Sequence, residues 1–301
     1  MELRKAGIKL PILVLNPEEA IFEVLKRHNL EPEIYSMVLL KKLVQHFQYE
    51  KKEKMPIHLK FDTGMHRLGF EENELGELVE VLKKNQQFEV RSIFSHLAGS
   101  EADEHDEFTQ HQIKTFQKMY KKISSQLKIR PIRHILNSSG INRFSQYQME
   151  MVRLGIGLYG IDSSQLMQNQ LQKVHTLKAT ISQIKKVAPK ETIGYSRKGK
   201  AQKAMRIATI SIGYADGLMR SAGNGRFSVM LHGKRAKIIG NVCMDMCMID
   251  ISKIPEAGVG DEVLIFGKDL PVEELAKAMR TISYEVFTGI SGRVKRVYIQ
   301  E

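Results

Sequence analysis

Cysteine is scarce in this chain, and long hydrophobic runs are missing. The two cysteines, Cys243 and Cys247, are too few for a disulfide framework and have no partner ligands at the spacing of a metal site. No stretch approaches the roughly 18 consecutive apolar residues of a membrane-spanning helix. The first residues are charged and lack the apolar segment of a signal peptide. The sequence therefore predicts a cytoplasmic protein with reduced thiols, no bound metal and no membrane partner.

The formal charge of +12 at pH 7 raises the question of nucleic-acid binding. The Lys and Arg residues are spread along the chain, often beside Glu, as in residues 51–54 (KKEK). They form no clusters with interleaved aromatic residues, and zinc-finger and RNA-binding motifs are lacking. This pattern is typical of a solvated basic surface, so we expect no nucleic-acid partner.

The first half of the chain has the pattern of an α/β fold. Short apolar segments alternate with amphipathic ones, which predicts βα units and a parallel sheet, either doubly wound or rolled into a barrel. Asn16 at an N-cap and Pro17 at the first helical position predict the start of the first helix. Strands are predicted at 11–15, 33–37, 58–62, 90–96, 134–136 and 152–157, and further helices at 39–47, 75–82 and 108–120.

Beyond about residue 170 the pattern changes to short strands separated by Gly-containing turns. Residues 232–234 (HGK) are typical of a hairpin tip. We therefore predict two domains, a partial (β/α) barrel over 1–170 and a mainly antiparallel β domain over 171–301. In the second domain, strands are predicted at 180–187, 206–211, 229–232, 236–239 and 263–266, and one helix at 272–279.

Polar and glycine-rich segments follow four of the predicted barrel strands, at 60–69, 95–96, 137–140 and 153–157. Active sites of parallel barrels lie at these carboxyl ends. The Ser138 hydroxyl and the backbone amides of Gly155 and Ile156 are suited to binding a phosphate. Each segment alone is also typical of an ordinary turn. Together they favour a phosphate-bearing cofactor.

Tyr214 stands between a β-type apolar run and a turn that contains Gly217. A tyrosine held at the end of a strand is a candidate proton-transfer group, because its hydroxyl can be aimed with little freedom left. Alone, such a tyrosine is as typical of a residue that packs its ring and leaves its hydroxyl in water. Its interpretation depends on the rest of the chain.

Six sequence blocks occur in a characteristic order. The blocks are 60–69 (KFDTGMHRLG), 95–96 (SH), 137–138 (NS), 152–156 (VRLGI), 213–217 (GYADG) and 241–245 (NVCMD). With these blocks the chain resembles the alanine racemases, which interconvert L- and D-alanine with pyridoxal 5'-phosphate (PLP). The resemblance implies an isomerase with an incomplete PLP-binding TIM-type (β/α) barrel followed by a mainly antiparallel β domain.

The resemblance also assigns cofactor contacts to the barrel. Arg153 would hydrogen-bond the pyridine nitrogen of PLP, and that nitrogen would stay unprotonated because a guanidinium keeps its protons. His96 would lie beside the ring. The phosphate would be held by Ser138, Gly155 and Ile156.

Further assignments concern the substrate. Arg67 would lie near the phenolic oxygen of PLP and the substrate carboxylate, and Lys60 is where some family members carry a carbamate. Tyr214 would remove the α-proton of L-alanine, with Met244 and Asp245 approaching the substrate from the β domain. In the family the tyrosine and methionine reach the partner subunit's cofactor, so a homodimer with shared sites is implied. The product, D-alanine, would supply peptidoglycan synthesis.

One family segment is absent. The K-A-x-A-Y-G-H-G motif does not occur in this chain, although its lysine forms the Schiff base with PLP and acts as the second base. We therefore expect a sequence truncated at its N-terminus, an incomplete barrel with unpaired sheet edges, and no racemase activity from these residues alone. Gly292 also stands where the family often has a tyrosine, so the resemblance does not extend to the phosphate contact and the support of the catalytic tyrosine that this tyrosine provides.

Three interpretations remain open. The chain is an alanine racemase with a truncated sequence, a non-enzymatic PLP-binding remnant, or a fold-type III PLP enzyme acting on another amino acid. The blocks at 213–217 and 243–245 favour alanine racemase over the related decarboxylases.

Overall fold

The computed structural model describes residues 1–49 and 54–299, which form two compact units, Met1–Leu171 and Gln172–Glu301. The first unit is built on a five-stranded sheet with the order β1-β2-β3-β4-β5, and every neighbouring pair is parallel. Its strands are β1 (Ile12–Val14), β2 (Leu30–Ile34), β3 (Met55–Lys60), β4 (Phe88–Phe94) and β5 (Ile132–His134).

The helices that lie between these strands bury apolar side chains in the core. In the helix Leu75–Lys84, the side chains of Leu75, Leu78, Val79 and Leu82 are buried at helical spacing, as its sequence pattern predicts. The helices of this unit are α1 (Glu2–Lys5), α2 (Phe22–Arg27), α3 (Met37–His46), α4 (Leu75–Lys84), α5 (Asp106–Leu127) and α6 (Ser138–Arg143).

The start of α3 explains a shift in β2. Strand β2 was predicted at 33–37, but it ends at Ile34, and Met37 is already helical. The Ser36 hydroxyl accepts a hydrogen bond from the Leu39 N–H at 3.2 Å, which is the bond of an N-cap residue. The cap therefore begins the helix at a position that hydrophobicity alone assigned to the strand.

The predicted helix start at Asn16 and Pro17 was wrong. Asn16 adopts a left-handed conformation with φ +49°, and its N–H donates to the carboxylate of Glu33 at 2.6 Å. A 3-10 turn begins only at Glu19, with Glu18 as its N-cap. Asparagine tolerates left-handed φ better than most residues. Asn16 therefore turns its N–H towards Glu33 and does not serve as a helix N-cap.

The predicted strand at 152–157 was also wrong. Residues 151–155 run beside β5 without forming a strand, joined by bonds such as that from the Arg153 N–H to the Leu136 carbonyl at 3.0 Å. Ile156–Tyr159 then form a 3-10 helix that begins after Gly155, at φ −112° and ψ −104°. The turn at this glycine redirects the backbone away from the sheet.

The second unit contains a closed six-stranded barrel with the order β10-β11-β12-β9-β6-β13. All its strand pairs are antiparallel. Its strands and helices are β6 (Leu177–Val187), β7 (Thr192–Ile193), β8 (Gly199–Lys200), β9 (Met205–Ile210), β10 (Ser228–Leu231), β11 (Lys234–Ile239), β12 (Cys247–Asp250), β13 (Glu262–Phe266), α7 (Val272–Met279) and α8 (Ser283–Gly289).

The hairpin between β10 and β11 has the predicted turn. His232 and Gly233 have φ of +49° and +72°, and Leu231 pairs with Lys234. Positive φ at both central residues is the geometry of a type I′ turn, which suits the right-handed twist of the flanking strands. Strands β7, β8 and β12 and helix α8 were not predicted.

Both cysteines are free thiols, as predicted. Cys247 is buried in β12, and burial raises its pKa to about 12, so its thiol stays protonated and unreactive. Among the described residues, no helix is both long and apolar enough to cross a bilayer.

Candidate active site

A cluster of cationic side chains surrounds His96 at the carboxyl ends of the parallel strands. Lys60 is the last residue of β3, and His96 follows β4 by two residues. The pKa of His96 is lowered to about 4, first by burial and then by the positive charges of Arg153, Arg67 and Lys60. His96 is therefore neutral near pH 7, and this end of the sheet attracts anions.

Arg153 is held by several acceptors. Its Nη2 donates to the Ser95 carbonyl at 2.7 Å and lies 3.3 Å from His96 Nδ1, while its Nη1 lies 2.6 Å from His134 Nδ1. The guanidinium also stacks over the Phe94 ring. Burial lowers the pKa of Arg153 to about 10, so the group stays charged at neutral pH.

A hydrogen-bonded relay crosses the sheet from β2 to Arg153. Glu31 Oε2 lies 2.8 Å from His58 Nε2, and His58 Nδ1 lies 2.6 Å from Ser92 Oγ. Ser92 Oγ lies 2.9 Å from His134 Nε2, and His134 contacts Arg153 as described. The four strand residues are buried, so water does not compete for these bonds.

The chemistry of arginine fixes the direction of the relay. Arginine only donates, so His134 Nδ1 accepts, and its proton is on Nε2, which donates to Ser92. The Ser92 hydroxyl can then donate to His58 Nδ1, and His58 Nε2–H donates to the Glu31 carboxylate. Burial is the main cause that lowers the pKa of His134 to about 2 and that of His58 below its usual value. Both imidazoles are thus neutral, and every donation runs from Arg153 towards Glu31.

The Ser138 hydroxyl joins two loops at the same end of the sheet. It follows Asn137, which caps α6 by accepting the Gly140 N–H at 2.9 Å. Ser138 Oγ accepts the Gly155 N–H at 2.9 Å and the Gly157 N–H at 3.3 Å. With both lone pairs engaged, the hydroxyl can offer only its proton to a further partner.

Ile156, between those two amides, is the first residue of the 3-10 helix, where N–H groups have no partner within a helix. The free donors beside the cationic cluster therefore suit an anionic group such as a phosphate. The Gly155 amide, predicted as a phosphate ligand, donates instead to Ser138 in this structure.

The loop that carries Arg67 is tightly folded. The Asp62 carboxylate accepts the N–H groups of Gly64 and His66 at 2.9 and 3.1 Å. Gly69 has φ +135°, and a Cβ there would lie 2.4 Å from the Asp62 nitrogen, so only glycine fits. Arg67 itself is exposed, free to meet a ligand.

In the second unit, the structure brings Tyr214 next to Met244. The Tyr214 N–H donates to the Cys243 carbonyl and the Ala215 N–H to the Met244 carbonyl, both at 3.0 Å. A Cβ on Gly213 would lie 2.3 Å from the Met244 carbonyl oxygen, so glycine is required for this approach. The side chains of Tyr214 and Met244 are 41% and 53% exposed, as expected for groups that meet a ligand or partner.

Arg293 was not predicted, and it bridges the loop that carries Tyr214 and the loop that carries Met244. Its Nε donates to Asp216 at 2.8 Å, and its Nη2 donates to Asp245. These two carboxylates raise its pKa. Asp216 also accepts the Gly213 N–H at 2.9 Å. Arg293 thus acts as a positioning residue for the segments that carry Tyr214 and Met244.

The predicted residues therefore form two groups, one in each unit. Sequence reasoning missed the relay and Arg293. Glu31 and His58 alternate with apolar residues along their strands, and this period-two pattern marks one sheet face. Ser92 and His134 directly follow arginines and show no such pattern. No group of His, Cys, Asp and Glu within the described ranges could hold a metal ion.

Comparisons with known proteins give a consistent result. Residues 1–163 match the family model described as alanine racemase, N-terminal domain, and residues 174–298 match that described as alanine racemase, C-terminal domain. An alanine racemase of Desulforamulus reducens is 39% identical over 311 residues, covering 99% of this chain and 81% of the relative.

Solved structures agree. Alanine racemase from D-cycloserine-producing Streptomyces lavendulae matches with a TM-score of 0.92 and 27% identity, over 100% of this chain and 81% of that one. Alanine racemase from Bartonella henselae, solved with covalently bound pyridoxal phosphate, matches with a TM-score of 0.89 and 28% identity, over 98% and 81% of the two chains.

Proposed function

The chain belongs to the alanine racemase family, and we propose that it serves the interconversion of L-alanine and D-alanine with PLP as its cofactor. The observation that carries the cofactor assignment is the cationic barrel end, where Arg153 is locked in place beside the free donors of Ser138 and Ile156. D-alanine for peptidoglycan is the product that such an enzyme would supply.

The residues present fit PLP. Arg153 would donate to the ring nitrogen and, as a cation, would give it no proton. The Ser138 hydroxyl and the Ile156 amide would bind the phosphate, and Arg67 the substrate carboxylate. PLP supplies, when bound, the electron sink that stabilises the charge left at Cα when its proton departs.

Proton transfer falls to the second unit. We propose Tyr214 as the base that removes the α-proton of L-alanine, with Arg293 holding its loop. Met244 and Asp245 would line the substrate. As the resemblance implies, these groups would serve the barrel end of a second copy, in a homodimer.

The return transfer needs a second base on the opposite face. The family's lysine motif does not occur in these residues, so we propose that they bind PLP without a covalent bond and do not racemise alanine alone.

Titration calorimetry in phosphate-free buffer tests this assignment. We expect saturable PLP binding that inorganic phosphate competes away, and no adduct after borohydride reduction. Arg153→Ala removes a charged donor and should weaken PLP binding by roughly 10- to 100-fold, because a hydrogen bond to a charged group contributes about 1.5–3 kcal/mol. Ser125→Ala, on the exposed face of α5, should leave PLP binding unchanged.

Two results would contradict the proposal. A protein that binds no PLP would refute the cofactor assignment. Measurable turnover of L-alanine by these 301 residues would show that another group replaces the missing lysine.

A further inference from the structure

Lys60 forms a buried ion pair at the end of the parallel sheet. Its Nζ lies 3.1 Å from Glu33 Oε1, and the two side chains are only 9% and 1% exposed. Glu33 belongs to β2 and Lys60 to the neighbouring β3, which pair in register at Glu33 and His58. The pair is therefore held by two rigid strands rather than by a loop.

Glu33 is itself fixed from a second side. Its other oxygen, Oε2, accepts the backbone N–H of Asn16 at 2.6 Å. Asn16 presents this N–H from its left-handed conformation. A buried carboxylate is costly unless it is paired and hydrogen-bonded. Here Oε2 has its hydrogen bond from Asn16, whereas Oε1 has no hydrogen-bond partner among the described residues and is compensated by the charge of Lys60 alone.

Glu33 is also the counter-charge of the cationic cluster. Its carboxylate acts to raise the pKa of Arg153, opposing the larger effect of burial. Lys60, Arg67 and Arg153 all act as positive charges on His96. Lys60 thus has a carboxylate of this chain beside it, at ion-pair distance.

We propose that Glu33 keeps Lys60 as a free ammonium ion that does not take up carbon dioxide. Glu33 then supplies the fixed negative charge that a carbamate supplies at this position in some alanine racemases. The inference concerns the site of the proposed function, but the state of Lys60 can be observed whether or not the protein racemises alanine.

The chemistry of carbamate formation supports this. The nitrogen lone pair of a neutral amine attacks the carbon of CO₂, an N–C bond forms, one C=O pair moves to oxygen, and the nitrogen loses a proton to solvent. An ammonium ion has no lone pair for this attack. The product would also place a second anion beside the buried Glu33 carboxylate, and like charges in such a site repel strongly.

Carbon-13 NMR of the 301-residue protein in ¹³C-bicarbonate tests the proposal directly. The native protein should give no carbamate carbonyl signal. Glu33→Val removes the anion, burial then favours the neutral amine, and a stoichiometric signal should appear. That signal should be lost again in the double variant Glu33→Val with Lys60→Arg.

A matched control uses the exposed pair of Lys118 and Glu72, whose shortest N–O distance is 2.7 Å. Glu72→Val should create no signal, because Lys118 is exposed to water and no burial disfavours its charge. Glu33→Gln, close in shape to the native side chain, repeats the test if the valine variant fails to fold. A native carbamate signal that Lys60→Arg abolishes would overturn the proposal, and so would folded Glu33 variants that give no signal.

Discussion

Gly213 shows how closely single residues are constrained around the proposed base. It has no side chain at the point where the Tyr214 loop passes the carbonyls of Cys243 and Met244. Gly292, which stands where the family often has tyrosine, is the opposite case, since nothing lies within 4 Å of a Cβ placed there. Glycine is therefore required at one position and replaceable at the other.

Gly213→Ala should destabilise the protein by about 1–3 kcal/mol, the usual range for overpacking, because its new methyl group meets backbone that cannot move aside. Gly292→Ala should change stability by no more than about 0.5 kcal/mol. Urea unfolding followed by circular dichroism measures both. Equal effects of the two substitutions would contradict the close approach at Gly213.

Arg293 offers a second test at this scale. Arg293 and Asp245 are about half exposed, and the less exposed Asp216 keeps a backbone N–H as a donor. Since exposed ion pairs contribute only about 0–1 kcal/mol, Arg293→Gln should change the melting temperature little. The loops it joins should nevertheless loosen, and exchange of the Ala215 amide, bonded to Met244, should accelerate. Hydrogen–deuterium exchange measures this.

Arg235→Gln is the matched control, because it breaks the exposed pair with Glu274 on another surface. Unchanged exchange at Ala215 in Arg293→Gln, or equal acceleration in both variants, would remove the positioning role of Arg293.

At the scale of elements, the relay depends on strand alternation. Glu31 and Glu33 are two residues apart on β2, as are His58 and Lys60 on β3. Side chains at this spacing point to the same face of a sheet. Register then aligns His58 with Ser92 of β4. The parallel sheet thus assembles one polar row that ends at Arg153.

This row predicts a pH dependence of stability. His58, His96 and His134 all have a pKa below the usual 6.5, with values of about 4 for His96 and about 2 for His134. As the pH falls below 6.5, these histidines take up protons in the unfolded chain but stay neutral in the folded protein. The stability that these neutral histidines contribute is therefore present above pH 6.5 and is lost progressively as the pH falls, towards pH 4 for His96 and towards pH 2 for His134.

Urea unfolding at a series of pH values should show this loss. His134→Asn retains an acceptor for Arg153 but cannot be protonated, so its stability should fall less steeply with acid. His111→Asn, at an exposed position of α5, should keep the native slope. Nitrogen-15 NMR should also find His58 and His134 protonated on Nε2; a charged His134 at neutral pH would contradict the relay.

At the scale of the whole molecule, the two units differ in whether their main sheet is closed or open. The antiparallel barrel is closed, so its strands have partners on both sides. Within the described ranges the parallel sheet is open: β1 pairs on one side only, and the outer side of β5 is met only by residues 151–155, which form no strand. This agrees with the incomplete barrel that the sequence predicts.

Unpaired edges invite association with other chains, and this gives a prediction for the separated units. Residues 172–301 should fold as a stable monomer, whereas residues 1–171 should associate increasingly with concentration. Light scattering coupled to size-exclusion chromatography measures both. A first unit that stays monomeric while the second associates would contradict the edge argument.

Most of the secondary structure was predictable, because period-two and period-3.6 patterns are local properties of the chain. Helix α7 was predicted at 272–279 and has these bounds. The errors fall where backbone contacts compete with local preference. Asn16 caps no helix because its N–H binds Glu33, and the backbone leaves the predicted strand at Gly155.

The amino-acid pattern alone was enough to identify the family and the fold class, since ordered motifs are visible without coordinates, while the roles of Arg153 and Tyr214 remain predictions. The pairing of Lys60 with Glu33 and the relay from Arg153 to Glu31 required the folded molecule. Their members lie far apart in the chain, and which side chains meet depends on the register of neighbouring strands, where a shift of one residue would turn each to the other face.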